Sequence, residues 1–287
     1  MSSTIIFIEG NPGSGKSTFA KRLKQSLLSI GYSVRMYQEG DLHPIDLAWC
    51  AILTKDQYQA TLDKYRMIKD DILTLTKPMN DQYVVAYTKV NPILAPKEFY
   101  DDMSSYEIYR SESLEMFKHA HQLLWNQFPN NMEHDTVYIF ECVFIQNHIN
   151  ELILKYHLED KAMYPYFRDL VQPLHAYHPY LIFIKQSNVE RSIRQVAAER
   201  ITNDPTKFKN WFDLVLDYMQ SMPYTKVLGY IGEQGTIKYF NDRQVISLKI
   251  IDQLPIASDI VQLDQSYDDT YEKLEALVLN KLSKYTD

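Results

Sequence analysis

The stretch Gly10-Asn11-Pro12-Gly13-Ser14-Gly15-Lys16-Ser17, followed by Thr18, decides how this chain is read. It completes the pattern G-x-x-x-x-G-K-[ST]. In front of it Thr4–Glu9 reads T-I-I-F-I-E, a β-branched and aromatic run that predicts a buried strand. Behind it Ser17–Ser29 places Phe19, Ala20, Leu23 and Leu27 at helical spacing. Strand, glycine-rich loop and helix in that order give the pattern its mechanism. A curled backbone turns successive N–H groups toward phosphate oxygens, and the helix N-terminus adds positive potential. Gly10, Asn11, Pro12, Gly13, Ser14, Gly15, Lys16, Ser17 and Thr18 are therefore the expected nucleotide-binding residues. Lys16 should reach the β- and γ-phosphates, and the Ser17 hydroxyl should ligate Mg²⁺.

Outward from the loop, Tyr32–Gln38 predicts a second strand that runs into Glu39-Gly40-Asp41. Thr136–Glu141, Tyr180–Lys185 and Asp259–Leu263 predict three more. Helices are expected over Asn147–Tyr156, from an Asn188 cap to Arg200, over Thr206–Ser221 and over Thr270–Lys284. Short apolar strands alternating with helices predict an α/β fold, with about five parallel strands and helices on both faces. A single domain is expected, its core at about 1–43, 132–200 and 256–287. A helical, acceptor-binding insertion fills about 44–131. Within it, 45–75 and Ser104–Phe128 read as helical and Gln82–Val90 as a strand or an extended lid. A lid and a meander occupy about 201–255. Gly229, Gly232, Gly235 and Asn241-Asp242 read as hairpin turns of a small antiparallel meander over 225–251.

Composition narrows the function classes. The chain has 287 residues, 45% hydrophobic and 23% charged, which is ordinary globular usage. Lys+Arg 30 against Asp+Glu 37 gives a net charge of -7, a poor balance for binding nucleic acid through its phosphates. No apolar run is long enough for a transmembrane helix, and no signal-peptide pattern opens the chain. The 2 cysteines, Cys50 and Cys142, make neither a disulfide framework nor a four-thiolate zinc site. A reduced, cytoplasmic protein is expected, with no membrane partner and with homodimerisation left open. Tyr is abundant at 22, and Gly, at 8, is scarce and clustered.

Several side chains outside the loop are candidates for chemistry. Glu39 and Asp41 follow the second strand, at the sheet end where open α/β folds bind ligands. Glu141 ends an apolar strand, where a carboxylate is costly unless it meets a cation or donors. Arg191 and Arg194 share a helix face. Arg110 lies among Tyr106 and Tyr109, and Gln146 follows the Glu141 strand.

No D-x-x-G or N-K-x-D accompanies the loop, which argues against a GTPase. The nine residues from Gly10 to Thr18, the acidic element after the second strand, Glu141 and the later arginine helix resemble the P-loop small-molecule kinases. These are the thymidylate, deoxynucleoside and nucleotide kinases. The resemblance implies transfer of the γ-phosphoryl group of Mg-ATP to a small-molecule acceptor. Lys16, Glu39, Asp41, Arg191 and Arg194 would then be catalytic, with Glu39 or Asp41 as base and the arginines on the transferring group. Ser17 and Glu141 would hold the metal, and Glu39, Arg110 and Gln146 the acceptor. Cys142 stands where such nucleoside kinases usually carry an arginine. The alternative is a P-loop NTPase or ATP-sensing regulator with no small-molecule acceptor.

Overall fold

A computed structural model describes residues 3–201, 208–263 and 266–285. The chain forms two compact units, one of residues 1–36 and 133–287, the other of residues 37–132.

The first unit opens with strand β1 (Thr4–Gly10), buried along its whole length, and helix α1 (Lys16–Ser29). Strand β2 (Ser33–Tyr37) follows and leads into the second unit. There the chain makes strand β3 (Ala51–Thr54), helices α2 (Lys55–Lys64) and α3 (Lys69–Thr74), and a hairpin of strands β4 (Thr76–Met79) and β5 (Gln82–Val85). Helices α4 (Lys97–Ser104) and α5 (Leu114–Gln127) complete this unit. Its three strands form an antiparallel sheet in the order β3-β5-β4. Leu53, Leu62, Ile72, Val85 and Phe99 are among the side chains of its own core.

The chain returns to the first unit with strand β6 (Thr136–Glu141), helices α6 (Gln146–Leu154) and α7 (Asp160–Val171), strand β7 (Tyr180–Gln186) and helix α8 (Val189–Glu199). Helices α9 (Trp211–Ser221) and α10 (Gly232–Asp252), strand β8 (Ala257–Leu263) and helix α11 (Tyr267–Leu282) finish it. The five strands form a parallel sheet in the order β2-β6-β1-β7-β8. β1 is central, so the loop at its carboxyl end sits over the middle of the sheet. On one face Phe19, Leu23 and Leu27 of α1 and Leu274, Val278 and Leu282 of α11 pack on Ile6, Ile8 and Ile182. This α/β architecture, with flanking helices and a small antiparallel sheet, is a P-loop NTPase-like fold.

Three expectations need correction. The meander over 225–251 is instead the long helix α10. The small antiparallel sheet belongs to residues 51–85. Gly235 is there for close packing: an ideal Cβ would sit 2.3 Å from the carbonyl carbon of Tyr230. Gly235→Ala is therefore expected to cost about 2–4 kcal/mol, seen as a fall in Tm of roughly 5–10 °C. A Tm within 1–2 °C of the parent would contradict the contact.

The helical reading of 45–75 is interrupted by β3, after which Thr54 and Gln57 form a capping box that starts α2. The reading of Ser104–Phe128 as one helix splits into the end of α4, a 3-10 turn at Ile108–Arg110, and α5, which Ser113 caps. Of the expected helix Thr206–Ser221, positions 206 and 207 lie outside the described residues. The remainder begins at Trp211 behind an Asn210 cap.

Candidate nucleotide site

The loop after β1 is shaped from both sides. Gly13 has φ +78, and a Cβ there would lie 2.8 Å from both the Ser192 carbonyl oxygen and the Val196 Cγ2 of α8. No other residue type tolerates both the left-handed backbone and that approach. Ser14 Oγ is buried with no hydrogen-bond partner among the described residues. A buried hydroxyl left so is costly, and a bound oxyanion would satisfy it. Lys16 is 7% exposed, and its Nζ donates to the Asn11 carbonyl oxygen at 3.2 Å. Glycine turns, an orphaned hydroxyl and a lysine folded over its own loop fit a polyphosphate.

Ser17 Oγ donates to Glu141 Oε1 at 3.0 Å. This joins the first turn of α1 to the end of β6. A hydroxyl and a carboxylate at this spacing are the hard oxygen donors that Mg²⁺ takes. Cys142, directly after Glu141, has φ 69, and its N–H donates to the Ile8 carbonyl at 3.2 Å. A left-handed cysteine is strained, and strain of this kind persists where the surroundings enforce it. Here it turns the chain sharply behind the carboxylate.

Glu9, the last side chain before the loop, is fully buried. Its carboxylate accepts the N–H groups of Phe144 at 2.8 Å and Gln146 at 3.2 Å, tying β1 to the start of α6. Burial pushes its carboxyl up from 4.5 to about 7, against the opposing pull of those backbone donors and of Lys16. The folded state thus holds this proton more tightly than the unfolded chain. Its contribution favours folding below pH about 4.5 and is lost as pH rises to about 7. Between pH 5 and 8 the parent should lose about 3 kcal/mol more stability than Glu9→Gln in denaturant unfolding. Parallel profiles for the two proteins would contradict this.

Helix α10 holds the loop in two places. Asn11 Nδ2 donates to the Phe240 carbonyl at 2.8 Å, and Asn11 Oδ1 accepts from Arg243 Nε at 3.0 Å and Nη2 at 2.8 Å. Farther along, Gln244 pairs with the backbone of Gln186, whose side chain donates to the Pro12 carbonyl at 2.9 Å. Arg243 also reaches Asn150 Oδ1 at 2.8 Å and Gln146 Oε1 at 3.4 Å. Sequence reasoning missed Arg243, Gln186, Gln244 and Glu9. Only Glu9 carried a signal, a charge in the last position of an apolar strand.

The remaining predicted residues divide between the units. In the first, Arg194 pairs with Glu190 at 2.9 Å and Glu233 at 2.7 Å, so its charge is already matched. The Arg191 guanidinium makes no ion pair among the described residues, and its backbone N–H is capped by Asn188. Gln146 receives Arg243 as above. In the second unit, Trp49 Nε1 donates to Glu39 Oε1 at 3.4 Å. Asp41 accepts from the Gln38 N–H at 2.8 Å and pairs with Lys89 at 3.2 Å. Arg110 pairs with buried Glu107 at 3.0 Å. Asp46, not singled out from sequence, is buried, and burial raises its carboxyl to about 6 while Tyr109 Oη donates to it at 3.0 Å.

Residues 4–122 match the family model described as "Chromatin associated protein KTI12", a family with a P-loop NTPase-like fold. The match takes in the loop and α1 but not Glu141 or Arg243. No curated protein matches the chain. Among the described residues, no helix is long and apolar enough to cross a membrane.

Proposed function

We propose that the first unit binds Mg-ATP and hydrolyses it, or senses it, in the manner of a P-loop NTPase with water as acceptor. The observation that carries this reading is the Ser17–Glu141 hydrogen bond beside a loop containing Lys16 and the orphaned Ser14 hydroxyl. Backbone N–H groups from Gly13 to Ser17 and the Lys16 ammonium would hold the β- and γ-phosphates. Ser17 and Glu141 would hold the metal. Mg²⁺ bound there supplies positive charge to the phosphate oxygens during transfer. Water would add to the γ-phosphorus as the bond to the β–γ bridging oxygen breaks, leaving ADP and phosphate. What the chain contributes is positioning and fixed charge.

The kinase reading is less well supported, above all in its acceptor half. Arg194 is engaged by two glutamates, and Asp41 and Arg110 are each matched by an opposite charge. The description of the matched family as chromatin associated also favours a macromolecular partner over a small acceptor. The second reading is phosphoryl transfer to a small-molecule hydroxyl. ATP labelled at the γ-phosphate separates the two. Label in free phosphate without any added acceptor supports hydrolysis. Label that appears only on a compound of a metabolite library supports transfer.

A further inference from the structure

Arg243 is 1% exposed, a fully buried guanidinium. Among the described residues it donates to the amide oxygens of Asn11, Asn150 and Gln146, and the Tyr239 hydroxyl is a further hydrogen-bond partner. Among the described residues it forms no ion pair. Phe240 and Tyr239 present their rings to it, with centroids 4.9 Å and 5.8 Å from Cζ. Glu151 acts electrostatically on the same two tyrosines as Arg243, Tyr218 and Tyr239, but its Oε1 accepts from Tyr218 Oη at 2.6 Å. A cation taken out of water normally meets a carboxylate, because amide dipoles recover only part of the lost hydration. The strongest of these contacts is made to a residue of the phosphate loop itself. Two parallel N–H groups grip one Asn11 oxygen, a planar fork that lysine does not reproduce.

We infer that Arg243 is a positioning and specificity-determining residue for the nucleotide's phosphates, acting through Asn11. It fixes the entry to the loop and places a permanent positive charge behind it in a medium of low dielectric. The inference rests on the nucleotide site proposed above and adds the residue that tunes it. An anion bound in the loop brings opposite charge to a guanidinium that forms no ion pair among the described residues. The gain grows with the charge of the anion, so Arg243 biases the site toward triphosphates over diphosphates.

The test uses the full chain, with inorganic tripolyphosphate and pyrophosphate as probes and Mg-ATP as reference, read by calorimetry. Thermal melts of each protein are recorded without ligand. Arg243→Met keeps apolar volume and removes the charge. It is expected to weaken tripolyphosphate binding by about tenfold or more and pyrophosphate by clearly less. Arg243→Lys, which keeps the charge and loses the fork, should retain the tripolyphosphate preference while binding both probes more weakly. Asn11→Ala added to Arg243→Met should cost little beyond Arg243→Met alone, since the two act as one unit.

A purely structural role predicts a lower Tm with equal fold-losses for both probes, and that result overturns the inference. So does parental affinity in Arg243→Met. Should Arg243→Met fail to fold, Arg243→Lys decides, and parental affinity for both probes then overturns the inference. A parent protein that binds none of the three ligands contradicts the nucleotide site itself, whereas parental binding with an indifferent Arg243 contradicts only this step.

Discussion

Lys16→Ala is expected to lower affinity for Mg-ATP by about a hundredfold or more and to bring phosphate release to background. The Lys16 ammonium is nearly buried, and among the described residues it donates to the Asn11 carbonyl of its own loop. That bond is replaceable by a β- or γ-phosphate oxygen, a far stronger acceptor for an ammonium. Removing the side chain deletes a charge whose main partner is the ligand, so the fold should lose little. A Tm within a few degrees of the parent, together with lost binding in calorimetry, is the expected pair of results. Lys16→Arg should not restore activity, because a planar guanidinium does not occupy the place of a compact ammonium. Full turnover by Lys16→Ala would remove the loop from the account.

Glu141→Gln should separate metal dependence from nucleotide binding. The amide keeps an oxygen for the Ser17 hydroxyl, so the 3.0 Å link between α1 and β6 can persist. What is lost is the negative charge that holds a divalent cation. ATP should still bind in the absence of Mg²⁺, Mg²⁺ should no longer tighten it, and phosphate release at saturating ATP should fall about 100- to 1000-fold. Phosphate release measured across a Mg²⁺ titration reads this directly. A parental Mg²⁺ dependence in Glu141→Gln would show that the Ser17–Glu141 pair is only a structural tie.

Much of the fold is legible in the sequence because its strands are short, apolar and punctuated. Thr4–Glu9, Thr136–Glu141 and Tyr180–Lys185 announce buried parallel strands, and the structure places them side by side. The nucleotide loop is equally plain, since few contexts need three glycines and a lysine in that spacing. α10 was hidden by its own packing. Gly235 touches the Tyr230 backbone, and Gly232 has φ 63 at the helix start, so two residues that usually mark turns serve close approach and helix entry. The apolar residues that betray the helix, Ile237, Tyr239, Phe240, Ile250 and Ile251, are spread over about four turns and diluted by Arg243, Gln244 and Ser247, polar side chains that are buried.

That burial also explains why part of the site escaped notice. On a helix, an arginine beside a glutamine reads as a solvated face, and only the fold shows that both are turned to the phosphate loop. The reverse holds for Arg194, Asp41 and Arg110. Each has the right chemistry for an acceptor site, yet each is spent on a local partner that sequence alone does not reveal.

The first unit is proposed as a working Mg-nucleotide site. Its most direct test is a calorimetric titration of the full chain with ATP, with and without Mg²⁺. One ATP should bind per chain, tighter when Mg²⁺ is present, with the same titration flat for Lys16→Ala. No binding of ATP by the folded parent protein under either condition would contradict it.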